Sequence, residues 1–474
     1  MTKNSELFCS LRQLMNATRS HSHSVAFSSE HSWTWPQFRH DVNQLVLNLN
    51  GLQAQKVALC STDTYQFTVG FFALCHSGKT IVLPGNYQSS ALAELSSQFE
   101  LLLCDSDIAH SLDNKASNEN NGENIRQMLL PATLLEPSLA AHSKDKLASF
   151  EPLRLDDVLI ILFTSGSSGQ PKAINKTLKQ LDTEINVLEQ QWGPQLASCI
   201  IESTVSHQHI YGLLFRVLWP LCAGRAFNTI NLEYPEQVIS HSNNDTLLVS
   251  SPALLKRLSN QQATTCRMVF SSGGPLPYKA AQTSKQLLSN YPVEVFGSTE
   301  TGGIAFRCQE AQEQPWQLFP AIDAELNSEG CLRLKSPYID ISRWYQTTDQ
   351  CEMVGDCQFL LKGRSDRVVK IEEKRVSLVE VEKRLEQLQW IEESAVVPIQ
   401  ESTRLTLVAA IVLTESGMQK LTEIGKGKFW ILLRSELRHW LEPISIPKRF
   451  RILNEIPLNS QGKRLVAQIE TLFE

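Results

Sequence analysis

Thr164-Ser165-Gly166-Ser167-Ser168-Gly169-Gln170-Pro171-Lys172 follows directly on the apolar run Val158 to Phe163. The run is short, unbroken and rich in branched residues, as expected of a strand buried on both faces, and the polar stretch then reads as the loop leaving it. Two glycines and four hydroxyl residues let the backbone turn sharply and aim its N–H groups at one point. Such a concavity holds phosphate oxygens, and Lys172 places a mobile positive charge beside it. It is not the common P-loop, because Ala173 follows Lys172 and no Ser or Thr stands ready for a metal ion. By itself a Ser/Gly-rich stretch reads equally well as a solvated loop, and the rest of the chain decides between the two.

Working outward, short β-branched runs alternate with helical patterns through the first 360 or so residues. Val57–Cys60, Thr80–Leu83, Leu101–Cys104, Thr246–Val249, Arg267–Phe270 and Val293–Phe296 read as strands, and Tyr65–His76 and Pro252–Leu258 read as helices. This alternation implies βαβ units: an α/β fold of mainly parallel sheets flanked by helices. Ligands of such folds gather at the carboxyl ends of the strands, where the polar loops after Phe163, Phe270 and Phe296 are expected to lie. Asp113–Asn124 reads as an Asn-rich surface loop, and no internal repeat is present. A smaller α+β unit begins near Gly363, with a capping box Ser377-Leu-Val-Glu380, strands over Ser394–Ile399 and Leu405–Leu413, and an amphipathic stretch Ile431–Leu441. The expected division is 1–363 for a large N-terminal domain and 364–474 for a small mobile lid.

Composition narrows the class. The chain has 474 residues, 42% hydrophobic and 20% charged, enough for a sizeable core. A net charge of -6 without a basic face argues against nucleic acid as a partner. Eleven cysteines lie scattered without a CxxC pair, as in a protein of a reducing compartment. No signal-like leader and no apolar run near 18 residues is present, so the expectation is a cytoplasmic protein with no membrane span.

Five further segments follow the Ser/Gly stretch: His207-Gln-His209-Ile-Tyr-Gly212, Ser271-Ser-Gly273-Gly274-Pro275, Phe296-Gly297-Ser-Thr299-Glu300, Thr348-Asp349 with Gly363-Arg364-Ser-Asp366, and Gln461-Gly-Lys463. Each alone has an ordinary structural reading as a turn, a helix cap or a core histidine. All six in this order, over about residues 30 to 470, resemble the adenylate-forming superfamily of acyl-CoA synthetases, peptide-synthetase adenylation domains and luciferases.

The resemblance implies a two-step ligase. A carboxylate attacks the α-phosphate of ATP, pyrophosphate leaves, and the acyl group of the resulting acyl-AMP passes to a pantetheine thiol of CoA or of a separate acyl carrier protein. Both first-step reactants are anions, so cations and oriented donors are needed to bring them together. By resemblance, Thr164 to Gly169 (with Ser165, Gly166, Ser167 and Ser168 between) and Lys172 would hold the outer phosphates. Thr299 would contact the α-phosphate, and Glu300 would bind Mg2+. Gly273, Gly274 and Pro275 would form a shelf beside adenine, Phe296 and Gly297 would border the nucleotide, and Asp349 would take both ribose hydroxyls, with Arg364 nearby. Lys463 would bridge the substrate carboxylate and the α-phosphate. Asp366 would be the hinge about which the small domain turns between the two steps. His209 would gate the thiol channel, or else be a satisfied core histidine; His207 has no family role.

The chain departs from the family pattern in places. Glu373 replaces the glycine of Lys-x-x-Gly-x-Arg in Lys370–Arg375, which would oppose CoA more than a carrier protein's neutral arm. Phe296 replaces a more frequent tyrosine, and Thr348 a glycine. No aspartate follows His209 to pair with an α-amino group, so an aryl or fatty-type acid is expected. A stand-alone ligase of aryl-polyene or polyketide-like pathways has a similar compact length. The alternatives are a non-catalytic nucleotide or acyl-adenylate binder of the same fold, which has no need of Lys463, and an adenylate-oxidising enzyme of the luciferase kind. The particular acid, the choice between CoA and carrier protein, and the oligomeric state are not in the sequence.

Overall fold

The computed structural model describes residues 8–85, 87–116, 125–135, 149–165, 171–196, 198–258, 261–371, 374–401, 404–441, 443–459 and 464–474. Contacts divide the chain into two compact units, Met1–Asp323 with Lys335–Arg343, and Ala324–Leu334 with Trp344–Glu474.

The first unit contains a six-stranded sheet in the order Gln127–Leu129, Leu101–Cys104, Lys56–Cys60, Thr80–Leu83, Leu159–Ser165, Pro171–Thr177. All neighbours run parallel except the last pair, which is antiparallel. Leu101–Cys104 is buried at every position and Lys56–Cys60 at all but its first. A sheet covered on both faces produces such continuous apolar runs instead of an alternation. The helix Thr64–His76 covers one face; Asp63 caps its start by accepting the Gln66 N–H at 2.8 Å. Its apolar residues run all round the axis, as in a helix buried on every side.

The same unit holds parallel strands Ser24–Phe27, Phe227–Asn228, Ile200–Ser203, Thr246–Ser250, Met268–Ser271 and Val293–Ser298, continued by antiparallel strands Gly302–Cys308 and Trp316–Leu318. The α/β class with flanking helices is therefore as expected, and the strands read from the sequence fall within a residue or two of those observed. Two local readings are corrected. Asp113 to Ala116 continue the helix Ser106–Ala116 instead of opening a loop, because Ile108, Ala109 and Leu112 give that segment an apolar stripe against the sheet. Lys172 stands in the strand Pro171–Thr177, opposite Thr164, instead of in a loop.

The second unit opens with strands Asp323–Leu326, Cys331–Lys335, Tyr345–Met353 and Gln358–Arg364 in that spatial order. Further on, Ile391–Glu401, Arg404–Leu413 and Arg449–Ile452 form a three-stranded sheet, with helices Leu378–Glu386 and Lys426–Leu437 packed on it through Val381, Leu385, Phe429 and Leu433. Ser377 caps the first of these helices, its hydroxyl accepting the Glu380 N–H at 3.2 Å, as its sequence pattern predicts. The stretch read as Ile431–Leu441 is the helix Lys426–Leu437.

Candidate functional site

In the first unit Lys172 meets the turn after Phe296, and the loop after Phe270 is tied to the strand that leads into that turn. Val293–Ser298 turns through Thr299, Glu300 and Thr301 into Gly302–Cys308, an antiparallel hairpin in which Ser298 faces Gly302. Gly302 has φ 68°, the left-handed position that closes such three-residue turns and that a side chain would strain. Thr301, almost fully buried, locks the turn: its hydroxyl accepts the Ser298 N–H at 3.0 Å, and its own N–H is donated to Ser298 Oγ at 3.2 Å. Thr299 and Glu300 remain half-exposed at the tip.

Lys172 Nζ lies 2.8 Å from Glu300 Oε1, so the strand Pro171–Thr177 meets the turn after Phe296. The pair is partly open, with side-chain exposures of 57% and 25%. Burial raises the Glu300 carboxyl, but the hydrogen bond and charge of Lys172, together with hydrogen bonds from its own backbone and from Ser298, outweigh it and hold the group below its usual range, so it is ionised at neutral pH. Pairs this exposed contribute about 0–1 kcal/mol. A weak cation–carboxylate pair is chemically suited to exchange: the ammonium can turn to a phosphate oxygen while the carboxylate turns to a divalent cation.

Beside it, Gly273, Gly274 and Pro275 form an exposed loop after the strand Met268–Ser271, with Gly273 at φ 96°. Ser272 ties the loop to the neighbouring strand by donating its hydroxyl to the Val295 carbonyl at 2.8 Å. Phe296 stacks obliquely on Trp316, ring centres 5.4 Å apart, and the Arg307 guanidinium covers the other ring at 4.3 Å. Thr164 and the backbone of Ser165 end their strand at the same rim.

His209 caps the short helix Ile210–Gly212 with its backbone and is half-buried. His207, by contrast, is fully buried in the core: Nε2 donates to the Ser61 carbonyl at 2.9 Å, so Nδ1 accepts from the Thr64 hydroxyl at 3.0 Å, and Phe67 packs 4.3 Å from its ring. Burial, with help from the Arg216 charge, pulls its pKa down to about 3, so it is a neutral structural histidine. Arg216 is equally buried and joins the loops after two neighbouring strands, donating to the carbonyls of Val205 at 3.0 Å, Asn228 at 3.1 Å and Ile230 at 2.7 Å. It lies in a π-helical turn, Leu213–Leu218, a geometry frequent near functional sites.

In the second unit, Asp349 and Arg364 are cross-strand partners, with Nη1 at 3.4 Å from Oδ1. Asp349 is nearly buried and its backbone N–H is held by Thr347 Oγ1 at 3.1 Å. Asp366 falls in the single turn Ser365–Arg367. Its neighbour Arg367 reaches the buried Glu382 at 2.7 Å, and Arg464 reaches the same oxygen at 2.8 Å. Gly166, Ser167, Ser168, Gly169, Glu373 and Lys463 lie outside the described residues.

No cluster of three or more His, Cys, Asp or Glu residues suited to a metal ion occurs among the described residues. One carboxylate at an open rim fits Mg2+ nonetheless, because that ion is usually held by one or two carboxylates with substrate phosphates and water. No helix of the described residues is long and apolar enough to cross a membrane.

Two charged residues that the sequence reading passed over also reach the Glu300 turn: Lys176 and Glu184, both buried. A signal for each was present. Lys176 stands at the same strand parity as Lys172 and Ile174, and Glu184 interrupts the apolar stripe Leu181, Ile185, Leu188.

Residues 14–327 match the model of the AMP-binding enzymes, and the chain belongs to that family. It is 24% identical over 473 residues to a Staphylococcus haemolyticus protein provisionally named a long chain fatty acid–CoA ligase, covering 91% of this chain and 94% of that one. It is 23% identical over 365 residues to the D-alanine–D-alanyl carrier protein ligase of Staphylococcus aureus, covering 68% and 72%. The crystal structure of ATP-bound MatB from Rhodopseudomonas palustris superposes with a TM-score of 0.79 at 16% identity over 99% of both chains, which establishes the fold.

Proposed function

We propose that this chain is an AMP-forming acid–thiol ligase that adenylates an aryl or fatty-type carboxylate with ATP and passes the acyl group to a pantetheine thiol. The observation that carries this reading is the Lys172–Glu300 pair at 2.8 Å on the rim of a chain of the AMP-binding enzyme family. On binding, Lys172 turns from Glu300 to the outer phosphates, joined by the hydroxyls and N–H groups of Thr164 to Gly169, while Thr299 donates to the α-phosphate. Magnesium held at Glu300 would supply charge neutralisation between phosphate oxygens. Gly273, Gly274 and Pro275 with Phe296 and Gly297 border the adenine, and Asp349, whose carboxylate is an acceptor for two O–H groups, takes the ribose hydroxyls. Lys463 lowers the repulsion between carboxylate and α-phosphate and stabilises the charge that develops between them.

Residues 364–474 act as the lid, turning about Asp366 to withdraw Lys463 and admit the thiol past His209. The acceptor is the pantetheine of a separate carrier protein in preference to CoA, on the strength of Glu373. A cytoplasmic site of action accords with eleven cysteines that are all free thiols.

The test is pyrophosphate release from ATP and magnesium with a panel of aryl, enoyl and fatty acids, with Lys463→Ala in parallel. Acid-dependent release lost in the variant supports the ligase. Tight ATP binding without release from any acid would leave a nucleotide-binding protein of the same fold.

A further inference from the structure

Glu300 is gripped twice from one strand. Lys172 takes its carboxylate at 2.8 Å, and Lys176, four residues on and therefore on the same face, donates from Nζ to the Glu300 carbonyl at 2.7 Å. Lys176 also donates to the Tyr338 carbonyl at 2.7 Å, so its ammonium lies between two main-chain oxygens. From the helix Leu178–Leu196, Glu184 accepts the Gly303 N–H at 2.7 Å. The turn Thr299–Gly302 is thus held from beneath at both ends, by a cation on its second residue and by a carboxylate just past its last.

The space around these contacts is shaped for them. A Cβ at Gly302 would stand 2.6 Å from Glu184 Oε2, and one at Gly303 would stand 3.0 Å from Phe319 and 3.2 Å from Glu184 Oε1. Only a Gly-Gly pair lets the carboxylate approach the backbone. Lys176 is 3% exposed and Glu184 4%. Burial pulls the Lys176 ammonium down to about 8 while Glu184 and Glu300 push it up; burial pushes the Glu184 carboxyl up to about 7 while the Gly303 N–H and Lys176 hold it down. Each therefore supports the charged form of the other. Both bond to main-chain atoms, and apolar residues of similar volume often stabilise a fold as well as buried charges do. The gain from two charges is then geometric: directional bonds fix where the turn's backbone sits.

We propose that Lys176 and Glu184 are positioning residues, a buried clamp that sets the backbone of the Glu300 turn and so aims the Glu300 carboxylate at the metal–phosphate site. Neither touches the reacting atoms, and the inference rests on Glu300 being the magnesium ligand of the proposed ligase. Lys172 is the exchangeable contact to the carboxylate; Lys176 is the permanent one, to the main chain.

The clamp is tested in the full-length protein with Lys176→Met, Glu184→Ala, Glu184→Gln and, as a control, Leu188→Ala, a core residue of the same helix that is 2% exposed. Two readouts are taken. One is the affinity for Mn2+, by its paramagnetic resonance, in complex with α,β-methylene ATP, which the reaction does not cleave. The other is kcat and KM for pyrophosphate release with an accepted acid. Lys176→Met and Glu184→Ala are expected to weaken Mn2+ binding by about 10–100-fold and to lower kcat by a similar factor, with KM for the acid unchanged. Glu184→Gln, which keeps an acceptor for the Gly303 N–H, restores most of the loss. Leu188→Ala lowers the melting temperature without moving the Mn2+ affinity. Wild-type Mn2+ affinity in folded Lys176→Met and Glu184→Ala would overturn the clamp; if Lys176→Met does not fold, the Glu184 pair decides alone. A wild-type protein that releases no pyrophosphate, while its variants still lose Mn2+, would sink the ligase reading and leave the clamp standing.

Discussion

Lys172 and Glu300, 128 residues apart in the chain, meet at 2.8 Å at the rim where two strands of different sheets end. A contact this exposed adds little to stability, about 0–1 kcal/mol. Lys172 stands opposite Thr164 at the carboxyl end of the neighbouring strand, where the proposed ligase would hold the outer phosphates of ATP.

Lys172→Ala should therefore separate activity from folding. Acid-dependent pyrophosphate release is expected to fall by about 10²–10³, the usual effect of losing one oriented electrostatic group. The melting temperature should move by no more than about 2–4 °C. A large loss of melting temperature with normal turnover would assign Lys172 to the fold.

Lys463→Ala should block only the first half-reaction. Release of pyrophosphate is expected to drop by about 10²–10³, while acyl transfer from chemically supplied acyl-AMP to a pantetheine thiol proceeds near the wild-type rate. Loss of both steps together would contradict the assignment of Lys463 to adenylation.

Glu373→Gly should change the acceptor. Restoring the family's glycine removes a carboxylate and a side chain from the path expected for the pantetheine arm. The ratio of kcat/KM for CoA to that for a phosphopantetheinyl carrier protein is expected to rise; an unchanged ratio would remove Glu373 from acceptor choice.

Acid should weaken the fold through His207. Its pKa of about 3 in the core lies below the ~6.5 of a free imidazole, so unfolding takes up a proton anywhere between those values. The stability is at its full value above pH 6.5 and falls as pH drops through the window, by about 2 kcal/mol between pH 6.5 and 5. Denaturant titrations at several pH values should show this slope, and His207→Asn should flatten it while lowering stability at pH 7.

In the second unit, Glu382→Ala should be the costliest single change near Asp366. One carboxylate oxygen accepts from Arg367 at 2.7 Å, from the Val396 N–H at 2.7 Å and from Arg464 at 2.8 Å. Removing it leaves the buried Val396 N–H without its acceptor and strips two guanidinium groups of their shared carboxylate, with an expected loss of about 3 kcal/mol. Glu382→Gln, which keeps one acceptor, should lose less, as read by chemical denaturation.

Much of the architecture was legible because its signals are local. Leu101–Cys104 is an unbroken apolar run buried at every position, as in a strand covered on both faces; Val158–Phe163 is also an unbroken run and a strand, but Leu159 within it is 45% exposed. Ser377 and Glu380 mark a helix start by chemistry confined to three residues. The misread segments failed for the same reason: the Asn-rich composition from Asp113 onward hid the apolar stripe that continues a helix to Ala116.

The chain's own order of motifs, from Thr164 to Lys463, determined its class, since those residue types in that succession answer the needs of joining two anions. The tertiary structure alone decided which charges act together. It placed Lys172 on a strand facing Glu300, assigned His207 to the core instead of the site, and brought Lys176 and Glu184 under a turn more than a hundred residues away. Local sequence carries the backbone's preferences within a few residues, whereas the burial of a charge and the identity of its partner depend on which distant elements the hydrophobic core draws together.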